Sequence, residues 1–211
     1  MFDVEYKGGN AVVITTKKSK LVVDPKLSGL GLKDVNTKDA VVIATEESLV
    51  AGTSDSSLVI DGPGEYEVGD FSIRGVAARR HIDTENDVNK ATVYRVEIGD
   101  VRIAVLGNID YRLNDDQLEE IGLVDIVIVP VGGGGYTLDA TNAAALVRKI
   151  DCKVAIPVHY ADKALHYEVP QEEVGVFVKE FGGEHEVTPK YKVKSAASVP
   201  TSTTVIEITR S

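Results

Sequence analysis

The feature that most constrains this chain is the stretch from Val101 to Tyr160, where short apolar runs alternate with helix-like segments. Val101–Leu106 and Asp125–Val129 bracket one such segment, and the second run leads into Pro130-Val131-Gly132-Gly133-Gly134-Gly135-Tyr136. A further helical pattern follows, then Val154-Ala155-Ile156-Pro157-Val158-His159-Tyr160. Short uninterrupted apolar runs suit strands covered on both faces. Each run ends in a polar or glycine-rich loop, which is where proteins built from strands and helices place their ligands.

The remaining elements follow from local pattern. Phe2–Lys7, Ala11–Thr16 and Leu21–Val23 read as consecutive strands, the last ended by Asp24-Pro25 because proline cannot continue the ladder. Val41-Val42-Ile43-Ala44 reads as a strand buried on both faces, whereas Glu46–Ser56 has neither helical period nor strand alternation. Leu58–Ile60 precedes a tight turn over Asp61–Asp70, and Phe71–Ala78 is a strand. Arg79–Lys90 is a polar loop, and Ala91–Ile98 with Val101–Leu106 forms a hairpin turned by Gly99-Asp100. Asp115 or Asp116 caps a short helix through Ile121.

Asp139–Ile150 is helical, with Ala140, Ala143, Ala144 and Val147 on one stripe, and Pro170–Phe181 is a helix ended by Gly182-Gly183. The tail, Glu186–Ser211, offers two strands around Ser195–Pro200. No linker divides the chain, so residues 1–211 are expected to form a single α+β domain, two mixed sheets face to face with helices outside.

Composition removes several classes of function. A net charge of −10 with no basic cluster argues against a nucleic-acid surface, and Lys190–Lys194 alternates as a strand with one solvated face. No apolar run approaches the roughly 20 residues of a membrane span. Met1–Asn10 carries Asp3 and Glu5 and has no leader-like core, so a cytoplasmic protein is expected. Cys152 is the lone cysteine, expected to be a buried, inert thiol.

Five landmarks in order resemble the metallo-β-lactamase superfamily, in its small bacterial branch related to sugar-lactone hydrolases (ascorbate-phosphate lactonase-like). They are Gly8-Gly9-Asn10, Leu21-Val22-Val23-Asp24-Pro25, Gly62-Pro63-Gly64-Glu65-Tyr66, Leu106-Gly107-Asn108, and Pro130-Val131-Gly132-Gly133 followed by Ile156-Pro157-Val158-His159-Tyr160. The resemblance covers nearly the whole chain and implies a four-layer αββα sandwich with an active site along one edge. It also implies a metal pair that lowers the pKa of a bridging water, held by a His-x-His-x-Asp-His loop, a further His, an Asp and a last His.

At the positions the resemblance assigns to ligands, this chain carries other residues. Past Thr45, the four places hold Glu46, Ser48, Val50 and Ala51, and Val50 and Ala51 cannot coordinate a cation. The bridging aspartate position holds Asn108. The middle histidine falls at about Arg80, with His81 one residue further, which a strand turns to the opposite face unless a bulge intervenes. His159 alone matches the pattern. A catalytic zinc site takes about three protein ligands and an open position. The expectation is therefore a vestigial site without metal or other cofactor, and a protein that binds or assembles rather than catalyses.

The alternative is an active hydrolase of a lactone or phosphoester. It would use one zinc or manganese held by Glu46, Asp110, His81 and His159, or a metal-free acid/base pair of His159 and Asp110. His159 otherwise reads as a packed histidine bonded to backbone, since no acidic partner is near it in sequence. Ser48 lacks a nucleophile elbow, Gly132–Gly135 lacks a P-loop ending and reads as a plain turn, and Arg79-Arg80 is either a surface pair or a conversion of the cleft to an anion site. Partners are an unnamed small ligand or protein, including further copies of the chain paired through an exposed sheet edge.

Overall fold

The computed structural model describes residues 1–52, 55–84 and 90–211. The expected irregular stretch Glu46–Ser56 and the polar loop Arg79–Lys90 lie partly outside those residues. In chain order the strands are β1 Phe2–Gly8, β2 Ala11–Thr15, β3 Lys20–Val23, β4 Val41–Ile43, β5 Leu58–Ile60, β6 Gly64–Val68, β7 Phe71–Ala78, β8 Ala91–Ile98 and β9 Val101–Val105. Helix α1 Asp115–Ile121 follows, then β10 Ile126–Pro130, α2 Ala140–Ile150, β11 Val154–Val158 and α3 Val174–Phe181. The chain ends with β12 Glu184–Thr188, β13 Tyr191–Val193 and β14 Thr204–Ile208.

Two mixed sheets result, of order β13-β1-β2-β3-β4-β5 and β12-β14-β11-β10-β9-β8-β7-β6. Period-2 alternation assigns the faces. Phe2, Val4 and Tyr6 of β1 point into the shared core with Val12 and Ile14 of β2, while Asp3, Glu5 and Lys7 face outward, half-buried. Strands β10 and β11 are buried at every residue, as parallel strands paired on both sides and covered by helix must be. Helix α1 packs on β7 and β8, α2 on β10, and α3 on α2. The outer face of the six-stranded sheet is closed more thinly, by a small cluster of Val13, Val22 and Ala40 with Val35. The two mixed sheets face to face with helices outside, expected from the sequence, are thus present, the three α-helices packing on the side of the eight-stranded sheet.

Four local expectations need correction. Asn114, not an aspartate, caps α1: its side chain accepts from Gln117 N at 2.8 Å, and Gln117 Oε1 accepts from Asn114 N at 3.0 Å. The turn expected over Asp61–Asp70 contains an edge strand, β6, paired antiparallel with β7. Helix α3 begins at Val174 rather than Pro170, because the backbone before it is committed elsewhere: Glu172 N donates to Gly132 O and Ala161 N to Glu172 O. The tail holds a third strand, β12, an exposed edge strand whose polar sequence gave no alternation signal.

Strands β3 and β4 run parallel in one sheet, and β9, β10 and β11 in the other. The loops that leave their C-terminal ends begin at Asp24, Ala44, Leu106, Val131 and His159, and they build the cleft described below. The two sheets are pinned at this edge. Tyr94 on β8 lies within hydrogen-bonding distance of Ala44 O at 3.1 Å and of Ile60 O at 3.3 Å, so its single hydroxyl proton bridges toward the other sheet. Gly107 sits at φ 65°, and a Cβ there would lie 2.5 Å from Thr45 Cβ. Gly107→Ala is therefore expected to cost at least about 2 kcal/mol in urea unfolding, from strained backbone and a forced separation at Thr45. A loss within about 0.5 kcal/mol, the range of an ordinary surface substitution, would contradict the close approach.

Candidate functional site

The cleft has a volume of about 230 Å³, and Asp24, Ser48, Asn108, Tyr136, His159 and Gln171 are among its lining residues. That is at the small end for a ligand pocket. Asp24 and His159 both hold left-handed backbone, φ 44° and 50°, which non-glycine residues adopt at a cost. The turn at His159 is secured by His159 N donating to Gly9 O at 2.8 Å. Gly132 is required beside it: a Cβ there would meet His159 O at 2.3 Å and Gln171 Oε1 at 2.4 Å.

Asp24 is 1% exposed. Its Oδ1 accepts Thr45 N at 2.6 Å and its Oδ2 accepts the Thr45 hydroxyl at 2.7 Å. Burial nevertheless raises its pKa to about 7, the two hydrogen bonds offsetting only part of the lost hydration and Glu46 adding repulsion.

His159 is 5% exposed, and burial lowers its pKa to about 4. Its Nδ1 lies 3.1 Å from Gln171 Oε1. Gln171 Nε2 donates to Val169 O at 3.0 Å, so the amide turns its oxygen to the imidazole. His159 must then carry its proton on Nδ1, which leaves the Nε2 lone pair unprotonated. Tyr136 stacks on the imidazole with centroids 5.9 Å apart, and Tyr167 tilts against it at 4.8 Å.

Behind the cleft, Asn108 is 2% exposed and donates Nδ2–H to Glu46 Oε1 at 3.2 Å, while its Oδ1 has no partner. Arg80 places Nη1 3.7 Å from Glu46 Oε2 and is braced by Asp83, which accepts from Arg80 Nη2 at 2.7 Å and Nε at 3.0 Å. Burial raises the Glu46 pKa, against the Asn108 hydrogen bond and the Arg80 charge.

The comparisons with known proteins bear on this geometry. A model of the β-lactamase superfamily domain matches residues 3–159. A structure from Thermotoga maritima, assigned as a Zn-dependent hydrolase of the metallo-β-lactamase superfamily, aligns over 99% of this chain and 99% of its own, with TM-score 0.78 and 25% identity. The chain belongs to the metallo-β-lactamase superfamily. A metal-dependent hydrolase assigned in Parabacteroides distasonis shares the fold at TM-score 0.63 and 16% identity, covering 85% of this chain and 87% of its own. A UPF0173 protein of Pyrococcus furiosus is 30% identical over 125 residues, 58% of this chain and 55% of that protein. The chain thus spans about half the length of the curated relative it matches.

Within this metallo-β-lactamase fold, the positions singled out in the sequence part company. Ser48, Asn108 and His159 line the cleft, with Glu46 directly behind Asn108. Val50 and Ala51 are half-buried beyond the turn Glu47–Leu49 and do not line it. Arg80, not His81, is brought to Glu46; His81 donates its backbone N–H to Asn108 O at 2.8 Å. Neither Arg79 nor Arg80 turns the cleft into an anion site: Arg80 is neutralised by Glu46 and Asp83, and Arg79 faces Asp110 at 3.4 Å.

The acid/base pair of His159 and Asp110 is not assembled. Asp110 lines a separate cavity with Arg79 and Arg112, and the Arg112 hydrogen bonds hold its carboxyl below the usual range. His159 is bonded through its ring to a side-chain amide rather than to backbone, and the orienting group lies twelve residues downstream. Gln171 was hidden because Pro170–Phe181 reads as helix. Asn10, Asp24 and Tyr136 were visible as landmarks but not as site residues. Gly132–Gly135 is a turn, with Gly133 N donating to Leu138 O, and the Asp139 carboxylate caps α2 at Asn142 N. Cys152 is buried with its thiol raised to about 12, as an inert cysteine should be. Among the described residues, no helix is long and apolar enough to cross a membrane.

Asp24 and His159 make opposite contributions to stability against pH. Folding raises the Asp24 pKa, so its contribution is fully present below the unfolded carboxyl value and declines as pH rises to about 7. Folding lowers the His159 pKa, so its contribution grows as pH rises from about 4 to 6.5. In the wild type the two slopes, each about 1.4 kcal/mol per pH unit, largely cancel over that window. Asp24→Asn should expose the rising limb, and His159→Gln the falling one, in urea unfolding between pH 4.5 and 6.5 (roughly the window set by the two shifts). Parallel profiles for all three proteins would refute the assignment.

Proposed function

We propose that this chain is a metallo-β-lactamase-fold protein of hydrolase descent that acts by binding a small ligand in its cleft rather than by metal-assisted hydrolysis. The observation that carries this reading is the Arg80–Glu46–Asn108 arrangement. The carboxylate that follows β4, where the family holds its first ligands, is already occupied: Asn108 N–H donates to one oxygen and the Arg80 guanidinium faces the other. A guanidinium is permanently charged. A divalent cation drawn to Glu46 would sit within a few ångström of Arg80 and meet repulsion instead of a charge balance. Asn108 turns its donor, not its carbonyl, toward the carboxylate. Val50 and Ala51 supply no side-chain donor, and no group of three or more His, Cys, Asp or Glu among the described residues is placed to hold a metal. The donors present therefore do not fit the family's metal pair.

A hydrolase remains the second reading, favoured by one observation. His159 carries its proton on Nδ1 and presents an unprotonated Nε2 to the cleft, which is how a metal-binding or proton-accepting histidine is held. Elemental analysis separates the two. Protein purified without chelator should carry under about 0.1 equivalent of zinc, manganese or iron, because so few ligands cannot retain a cation. Metal near one equivalent, removable by chelator and lost in His159→Ala, would sink the binding reading. So would lactone or phosphodiester hydrolysis that disappears in the same variant.

A further inference from the structure

Resting on the metal-free reading above, we propose that the cleft is a site for a small organic ammonium ion. Three of the polar atoms left over in it are acceptors, beside the Tyr167 hydroxyl, which can donate or accept. Asn108 donates one N–H to Glu46, and its Oδ1 is buried with no partner. His159 presents a bare Nε2, because Gln171 fixes the proton on Nδ1. Asn10, 7% exposed and also in the lining, has a buried Oδ1 without a partner. Buried acceptors lacking a donor cost free energy that a ligand N–H restores.

Charge does not favour an anion: Glu168 and Lys26, both exposed, offset each other, Asp24 carries a partial negative charge near its raised pKa of about 7, and His159 is neutral. Tyr136, His159 and Tyr167 form a continuous aromatic wall, the feature that attracts ammonium groups through ring quadrupoles. Leu27, Leu30, Leu49 and Val169 supply an apolar surface for the carbon skeleton. A volume of about 230 Å³ admits a ligand of a few heavy atoms. An anion would meet three acceptors and the partial charge of Asp24, and a neutral alcohol would satisfy one acceptor while gaining nothing from the rings.

The test is a titration of the full chain with n-butylammonium, 1-butanol and butyrate, followed by the Asn108 side-chain amide and His159 imidazole resonances in NMR. Metal content is measured on the same sample. Butylammonium is expected to bind at least about tenfold more tightly than 1-butanol, with butyrate weakest. Asn108→Leu should weaken butylammonium by roughly fivefold or more through loss of the acceptor. Because Asn108 is buried and the variant can lose structure, Tyr136→Leu and Tyr136→Phe form a second pair at a half-buried position: leucine should reduce the ammonium preference and phenylalanine keep it. Equal or tighter binding of butanol or butyrate on metal-free protein overturns this inference alone, as does the absence of any ammonium binding. A sample that carries stoichiometric metal overturns the reading beneath it.

Discussion

Thr45 is the joint on which the two sheets and the cleft depend. Its N–H and hydroxyl both donate to Asp24, which ties the exit of β4 to the exit of β3. Its carbonyl accepts Thr92 N at 2.8 Å, from β8 in the other sheet. Its methyl-bearing Cβ lies so close to Gly107 that no other residue fits there without displacement. One residue therefore sets the separation of both sheets at the edge where the loops converge, and it does so with three hydrogen bonds and one steric contact. The strain of Asp24, a left-handed residue before a proline, is what this joint costs.

From that joint outward, the buried Glu46 meets a counter-charge from within the chain. Glu46 follows Thr45 and is buried, a placement that demands a partner. Arg80 and Asn108 provide it from two separate loops, joined by the bridge between Arg80 and Ile109 and by His81 N donating to Asn108 O. A metal in this fold neutralises converging carboxylates; here one guanidinium, braced by Asp83, meets one carboxylate. The positions past β4 lie beyond the strand end. The apolar residues that hold the sheets together are a separate set, and none of Glu46, Ser48, Val50, Ala51 and Asn108 belongs to the main core cluster.

Fold and site were legible in the sequence to different depths for physical reasons. Buried parallel strands leave an unmistakable record, and β4, β9, β10 and β11 fell where the apolar runs lie. Edge strands leave almost none: β12 is polar on both faces, and β6 follows a Gly-Pro-Gly that reads as a turn. For the site, residues adjacent to strand ends could be located, which is why Asn108 and His159 came together as the pattern implied. Contacts made across loops could not. Nothing in the residues between Tyr160 and Gln171 announces that the amide returns to the imidazole. Nothing in Arg79–His81 says which of three side chains enters, since a one-residue choice decides it.

Retained strain is the strongest sign that the cleft still does something. Among the described residues, four that are not glycine hold positive φ: Asp24, Asp39, Asp151 and His159. Asp151 needs no functional account, since it closes α2 in the left-handed conformation usual for a helix end. Asp24 and His159 lie together in the cleft, one a buried carboxylate whose burial raises its pKa and the other a buried imidazole whose burial lowers it. The raised Asp24 pKa costs stability as pH rises toward 7, and the lowered His159 pKa costs it only in acid. A cavity lined by a bare imidazole nitrogen, a partnerless amide oxygen and two tyrosines packed against the imidazole is suited to a ligand that donates hydrogen bonds.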